Sequence, residues 1–110
     1  MKYAVRVIIE TPKGYNVDKE DFLTSSIVDA RKNAIRKIGK NPRKRAIIKD
    51  VENHTNKEDI SYWKIDAYNM RGWFTTDLTK YTDVKRLMKP QKYIEVDPVT
   101  GRLKKRYIEL

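Results

Sequence analysis

Eight basic residues and no acidic one lie between Arg31 and Arg45: Arg31, Lys32, Arg36, Lys37, Lys40, Arg43, Lys44 and Arg45. A phosphate backbone presents closely spaced negative charge, so a protein that binds one needs several Lys or Arg on one surface, and counterion release then drives association. Arg43 and Arg45 suit a bidentate grip on phosphate oxygens, whereas Lys32, Lys37, Lys40 and Lys44 act as point charges that position the chain without reading bases. Arg36 joins them from the outward side of its helix. The negative dipole end of a helix attracts cations, which accounts for Lys37 and Lys40 but not for Arg43-Lys44-Arg45 after Pro42. A second basic run, Arg102, Lys104 and Arg106, falls on alternate positions and so on one side of a strand.

Aromatic residues form a second feature. Tyr68, Arg71, Trp73 and Phe74 crowd an expected hairpin, and unpaired bases stack on such rings. A chain with five Leu, two Trp and seven Tyr also needs its rings for packing. Trp63 is therefore expected in the core, while Trp73 with Arg71 is a candidate stacking platform or partner anchor. No RNP-like aromatic motif, GXXG loop, zinc-finger spacing or basic-zipper heptad is present, so base-specific readout is not expected. The ligand expected from these features is DNA or RNA, held mainly through its backbone. The alternative is a protein partner with an acidic surface, as suits a small effector of a phage or mobile element. There the basic block would steer, and Trp73 and Arg71 would anchor.

Other chemistry lacks its residues. With no Cys and a single His there is no thiol nucleophile, disulfide framework or zinc site. Walker A, GxGxxG and GxSxG patterns are missing, and Gly14, Gly39, Gly72 and Gly101 each stand at a turn or cap position. Asp66 with Asp77, and Glu95 with Asp97, are acidic pairs without metal-ligand spacing. His54 sits in a polar connection with no positioned nucleophile beside it. Neither an enzyme nor a cofactor or metal site is expected.

The elements that must carry these groups are bounded by composition. The 110 residues carry 25 Lys+Arg against 15 Asp+Glu, a formal charge of +10, and the excess is local, because residues 31–50 hold nine basic groups and one acid. One domain is expected at this length, and Leu, Ile, Val and Phe at about 24% lie above the roughly 20% level associated with disorder. No apolar run reaches the roughly 20 residues of a membrane span, so a cytoplasmic chain with no membrane contact is expected.

Period-two alternation predicts a first strand over Lys2–Thr11, reversed at Thr11-Pro12-Lys13-Gly14. An acidic, solvent-facing stretch and a short strand over Phe22–Thr24 follow. Ser26 with Asp29 opens a helix over 27–39, which Gly39 stops. Its apolar face is Ile27, Val28, Ala30, Ala34, Ile35 and Ile38; Asp29, Lys32, Asn33 and Arg36 fall opposite. Arg31 projects into the apolar stripe, which calls for a snorkelling stem or an acidic partner. A strand follows over Lys44–Glu52, with the facing of Ile47 and Ile48 ambiguous. The polar stretch 53–59 reads as an exposed joint between two halves. Beyond it come strands around Trp63–Tyr68 and Trp73–Thr76, a second helix over 78–88, and a hairpin of Tyr93–Val96 with Leu103–Ile108 across Asp97–Gly101. The last strand is an edge whose Lys and Arg guard it against pairing with another chain. The order ββαβ-ββαββ specifies a single α+β domain, an antiparallel sheet of hairpins with two helices on one face.

Overall fold

The structure, a computed structural model, describes residues 1–18, 20–65, 70–78 and 94–105. β1 (Tyr3–Thr11) has the alternation its residues dictate: Tyr3, Val5 and Val7 are buried on one face, and Arg6 is exposed on the other. At the tip Thr11 pairs with Gly14, whose φ of 132° is one that glycine tolerates. The chain then returns as a strand that the sequence pattern does not signal, β2 (Gly14–Val17). All four of its residues are exposed, so no buried alternation marks it. β3 (Phe22–Thr24) pairs with the other end of β1, on the same side as β2.

α1 runs Ile27–Ile38, as its caps require: the Ser26 hydroxyl accepts from the Asp29 amide at 3.4 Å, and the Gly39 amide donates to the Ile35 carbonyl at 2.9 Å. Ala30, Ala34 and Ile38 are at most 1% exposed. The two alanines let the helix lie close to the sheet. Asn33, expected on the polar side, is instead 4% exposed.

β4 (Lys44–Asp50) buries Ala46, Ile48 and Asp50 beneath α1 and turns Ile47 to the opposite face, which resolves the ambiguous isoleucine pair. The expected joint at 53–59 is a tight turn followed by an unbroken strand, β5 (Thr55–Ile65), whose first residues pair with β4. It looked like a connection because it has no apolar anchor. Its buried positions are Glu58 and Asp59, 8% and 6% exposed, each neutralised by an arginine.

β6 (Met70–Asp77), β7 (Ile94–Val96) and β8 (Leu103–Lys105) complete an all-antiparallel sheet in the order β2-β1-β4-β5-β6-β7-β8. The core lies between α1 and one face of this sheet, around Val5, Ile48, Ile60 and Val96. This is an α+β arrangement with one described helix rather than two. The second helix expected over 78–88 falls, from residue 79 on, outside the described residues, as do Tyr93 and the end of the last strand from Arg106. Trp63, expected in the core, is half-buried on the face away from α1, where its indole N–H donates to the Ser61 hydroxyl. Among the described residues no helix is long and apolar enough to cross a membrane.

Two turn aspartates tie the hairpins. The Asp50 carboxylate accepts from the Asn53 side chain at 2.9 Å and from the Asn53 and Glu52 amides, each at 3.1 Å. Asp97 Oδ1 accepts from the Val99 and Thr100 amides at 2.8 and 3.2 Å. These bonds favour the charged form and hold both groups below the ordinary aspartate value, for Asp50 chiefly through the Asn53 side chain and for Asp97 chiefly through the Val99 amide. A carboxyl whose pKa is lower in the folded than in the unfolded state stabilises the fold above the unfolded value. That stability is lost as pH falls through the folded value. Chemical denaturation from pH 6 to pH 2 is expected to show stability falling below the ordinary value of 3.8. The slope should be shallower in the D50N/D97N double variant, and an unchanged slope would remove these turns as its source.

Candidate nucleic-acid interface

The basic block occupies α1 and the loop that follows, and the fold divides it in two. Arg31 and Arg45 are consumed. Arg31 Nε and Nη2 donate to the two carboxylate oxygens of Glu58 at 3.0 and 2.6 Å, and its Nη1 donates to the Gly101 carbonyl at 3.4 Å. Glu58 also accepts from the Thr75 hydroxyl at 3.2 Å. Of the two outcomes open to Arg31, a snorkelling stem or an acidic partner, the fold supplies the partner, Glu58, with side chains 12% and 10% exposed. Arg45 lies on the opposite face of the sheet, its guanidinium bonded to Asp59 and 3.6 Å from Glu10. Consecutive strand residues point to opposite faces, so Glu58 and Asp59 each take one arginine from a different side. Arg45 is thus committed to a half-buried ion pair rather than offered to a phosphate.

The other cations stay on the surface. Lys32, Arg36, Lys40 and Arg43 are exposed, Lys44 is half-exposed, and none has an acidic side chain within ion-pair distance among the described residues. Lys32 and Arg36 are one i, i+4 step apart, which places them on one ridge about 6 Å apart along the axis, and Lys40 lies in the turn just past the helix end. Lys37 turns inward, its ammonium 6.0 Å from the centre of the Phe22 ring. The support is firm. The Trp73 indole donates to the Gly39 carbonyl at 2.9 Å, the Arg43 amide to the Asn41 side chain at 2.9 Å, and the Glu10 amide to the Arg43 carbonyl at 2.8 Å. The loop's backbone is bound at both ends while its cationic side chains face water.

Trp73 packs against the core and meets Tyr62 edge to face, centroids 5.5 Å apart. Its ring and N–H are engaged in holding the end of α1 to the sheet. Arg71 pairs through its backbone with Lys64, and its side chain lies outside the described residues. Of the second run, Arg102 and Lys104 are exposed, Lys104 standing across from Glu95 on the face away from α1, and Arg106 lies outside the described residues. The structure therefore does not bring Lys104 to the α1 ridge.

One surface feature lies beyond the reach of sequence patterning. A groove of about 410 Å³ follows the ridge, lined by Phe22, Asp29, Lys32, Asn33, Arg36 and Pro98. Asn33, which lines it, has its Oδ1 buried without a hydrogen-bond partner among the described residues. Phe22 of β3 and Pro98 of the β7–β8 turn make its walls with α1, so no local pattern signals it. Comparisons with protein-family models, with curated proteins and with solved structures each give no match, and no family is assigned to the chain.

Proposed function

We propose that this protein binds nucleic acid through phosphate contacts made by the α1 ridge and its following loop, with Lys32, Arg36, Lys40, Arg43 and Lys44 as the contacting cations. The observation that carries this reading is the selective neutralisation of the basic block. Where an arginine meets the sheet, an acid has been supplied for it. Along the outer ridge and loop none has been. A solvated face that served solubility alone would interleave both signs evenly, whereas here five cations stand against one exposed acid, Asp29, on a rigid support. Lys37 borders the surface without projecting from it, and Arg45 stabilises the fold beneath it.

The test is a fluorescence-anisotropy titration against single- and double-stranded DNA and RNA at about 50 to 300 mM salt, with heparin as the polyanion control. Affinity is expected to fall with salt as several counterions are released. The variant Lys32→Glu/Arg36→Glu/Arg43→Glu is expected to weaken binding at least 100-fold at low salt and to lower the salt slope by about three. Arg45 is left intact because its loss would strand Asp59. Unchanged affinity in the triple variant would overturn the site, and failure of the wild type to bind any form beyond heparin would favour an acidic protein partner.

A further inference from the structure

The two edges of the sheet differ. Among the described strands β8 ends it, and its exposed Lys104 carries a charge that opposes pairing with another strand. At the other end β2 has the sequence Gly-Tyr-Asn-Val, with no charge and no proline. Its Tyr15 and Val17 are 66% and 50% exposed, an unusual position for an aromatic and a β-branched residue side by side on an edge.

The backbone groups that β2 offers follow from its pairing with β1. The Asp18 amide donates to the Val7 carbonyl at 3.0 Å, so the residues that exchange bonds with β1 include Asn16 and Gly14 by alternation. The N–H and C=O groups of Tyr15 and Val17 therefore point outward.

We propose that β2 pairs with β2 of a second copy of this chain, antiparallel and with Asn16 on the two-fold axis. A two-fold axis normal to the sheet keeps every residue on its own face, so facing residues must have numbers that sum to an even value. With Asn16 facing itself, Tyr15 faces the second copy's Val17, and the outward groups of each meet those of the other. This register satisfies the free backbone groups and forms two aromatic–β-branched cross-strand pairs from the exposed side chains. It is also complementary in charge. By the same rule Lys13, exposed at the hairpin tip, faces position 19 of the second copy, within the stretch Asp18-Lys19-Glu20-Asp21 that holds three acids and one base, and Lys13, Asp18 and Glu20 have no ion-pair partner among the described residues. The sheets join into one with both α1 helices on the same side. The contact is small, which sets the pairing in the weak, concentration-dependent class.

The chain contains no cysteine, which makes the register directly testable. Asn16 would face its counterpart at a non-hydrogen-bonded position, where Cα atoms about 4.5 Å apart fall within disulfide range. Mild oxidation of Asn16→Cys at about 100 μM is expected to give a covalent dimer in high yield, at least ten times faster than Lys104→Cys at the charged edge. Sedimentation equilibrium of the wild type from about 10 μM to 1 mM should show the mass rising from 13.1 kDa toward twice that value. Val17→Lys should hold it at the monomer value while leaving the circular dichroism spectrum and melting temperature unchanged. Equal cross-linking rates for the two cysteine variants, or a wild type that stays monomeric across the range, would overturn the proposal.

Discussion

Replacing Glu58 by leucine, with Arg31 left in place, is expected to destabilise the fold by about 3–5 kcal/mol, the usual cost of stranding one partner of a buried ion pair. The Arg31 guanidinium would keep only the Gly101 carbonyl, at 3.4 Å, as a partner in a site that leaves its side chain 12% exposed. Arg31→Met should cost a similar amount, because Glu58 would then retain the Thr75 hydroxyl alone. The double variant Arg31→Met/Glu58→Leu is expected to recover most of the loss, since the two charges disappear together and apolar side chains of similar volume fill the space. Urea denaturation of the four proteins measures the coupling. Additive losses would show that the pair is not the unit that joins α1 to the sheet.

Gly101→Ala should be the costliest change of a single methyl group in the chain. The residue has φ of 68°, and a Cβ there would stand 2.8 Å from the Val28 carbonyl oxygen and 3.1 Å from the Val28 side chain. The left-handed backbone costs an L-residue about 1–2 kcal/mol, and the overlap adds about 1–3 kcal/mol because the nearest atom belongs to the helix backbone and cannot swing away. A total of about 2–5 kcal/mol is expected, read as a drop in melting temperature of roughly 10 °C or more for a domain of this size. A loss below about 1 kcal/mol would mean that the β7–β8 hairpin does not rest on α1. Arg31 binds the carbonyl of this same glycine, so both experiments probe one junction from two sides.

The junction also bears on the proposed interface. Arg31 and Arg45 are the two ends of a run of cations that reads as uniform in the sequence, and both are drawn away from solvent by acids of β5. What is left on the surface is narrower than the run of letters suggests and lies on one ridge and one loop. Charge-reversal experiments that include Arg45 would mix loss of binding with loss of folding. Those confined to Lys32, Arg36 and Arg43 separate the two.

Local pattern was enough for β1, β3, α1, β4 and the turn at Asp97–Gly101. Each depends on contacts within a few residues: alternation, a Ser26 cap, a Gly39 stop, an aspartate that bonds the next amides. The concentration of cations at 31–45 was legible for the same reason, as was the place of Arg31 in the apolar stripe, though not whether a snorkelling stem or an acidic partner would serve it. What the sequence could not disclose were the pairings between distant residues. Glu58 and Asp59 read as solvent-facing letters in a polar stretch, and only the register of β4 with β5 buries them and assigns one arginine to each face. Gly14–Val17 carries no burial signal, and only the ladder to β1 makes it a strand and an open edge. Gly101 reads as a turn glycine, and only the close approach of α1 makes a side chain there costly. The physical division is one of range: propensities, caps and turn bonds are local free energies written in adjacent residues, whereas burial of charge, ladder partners and steric contact exist only once distant segments meet.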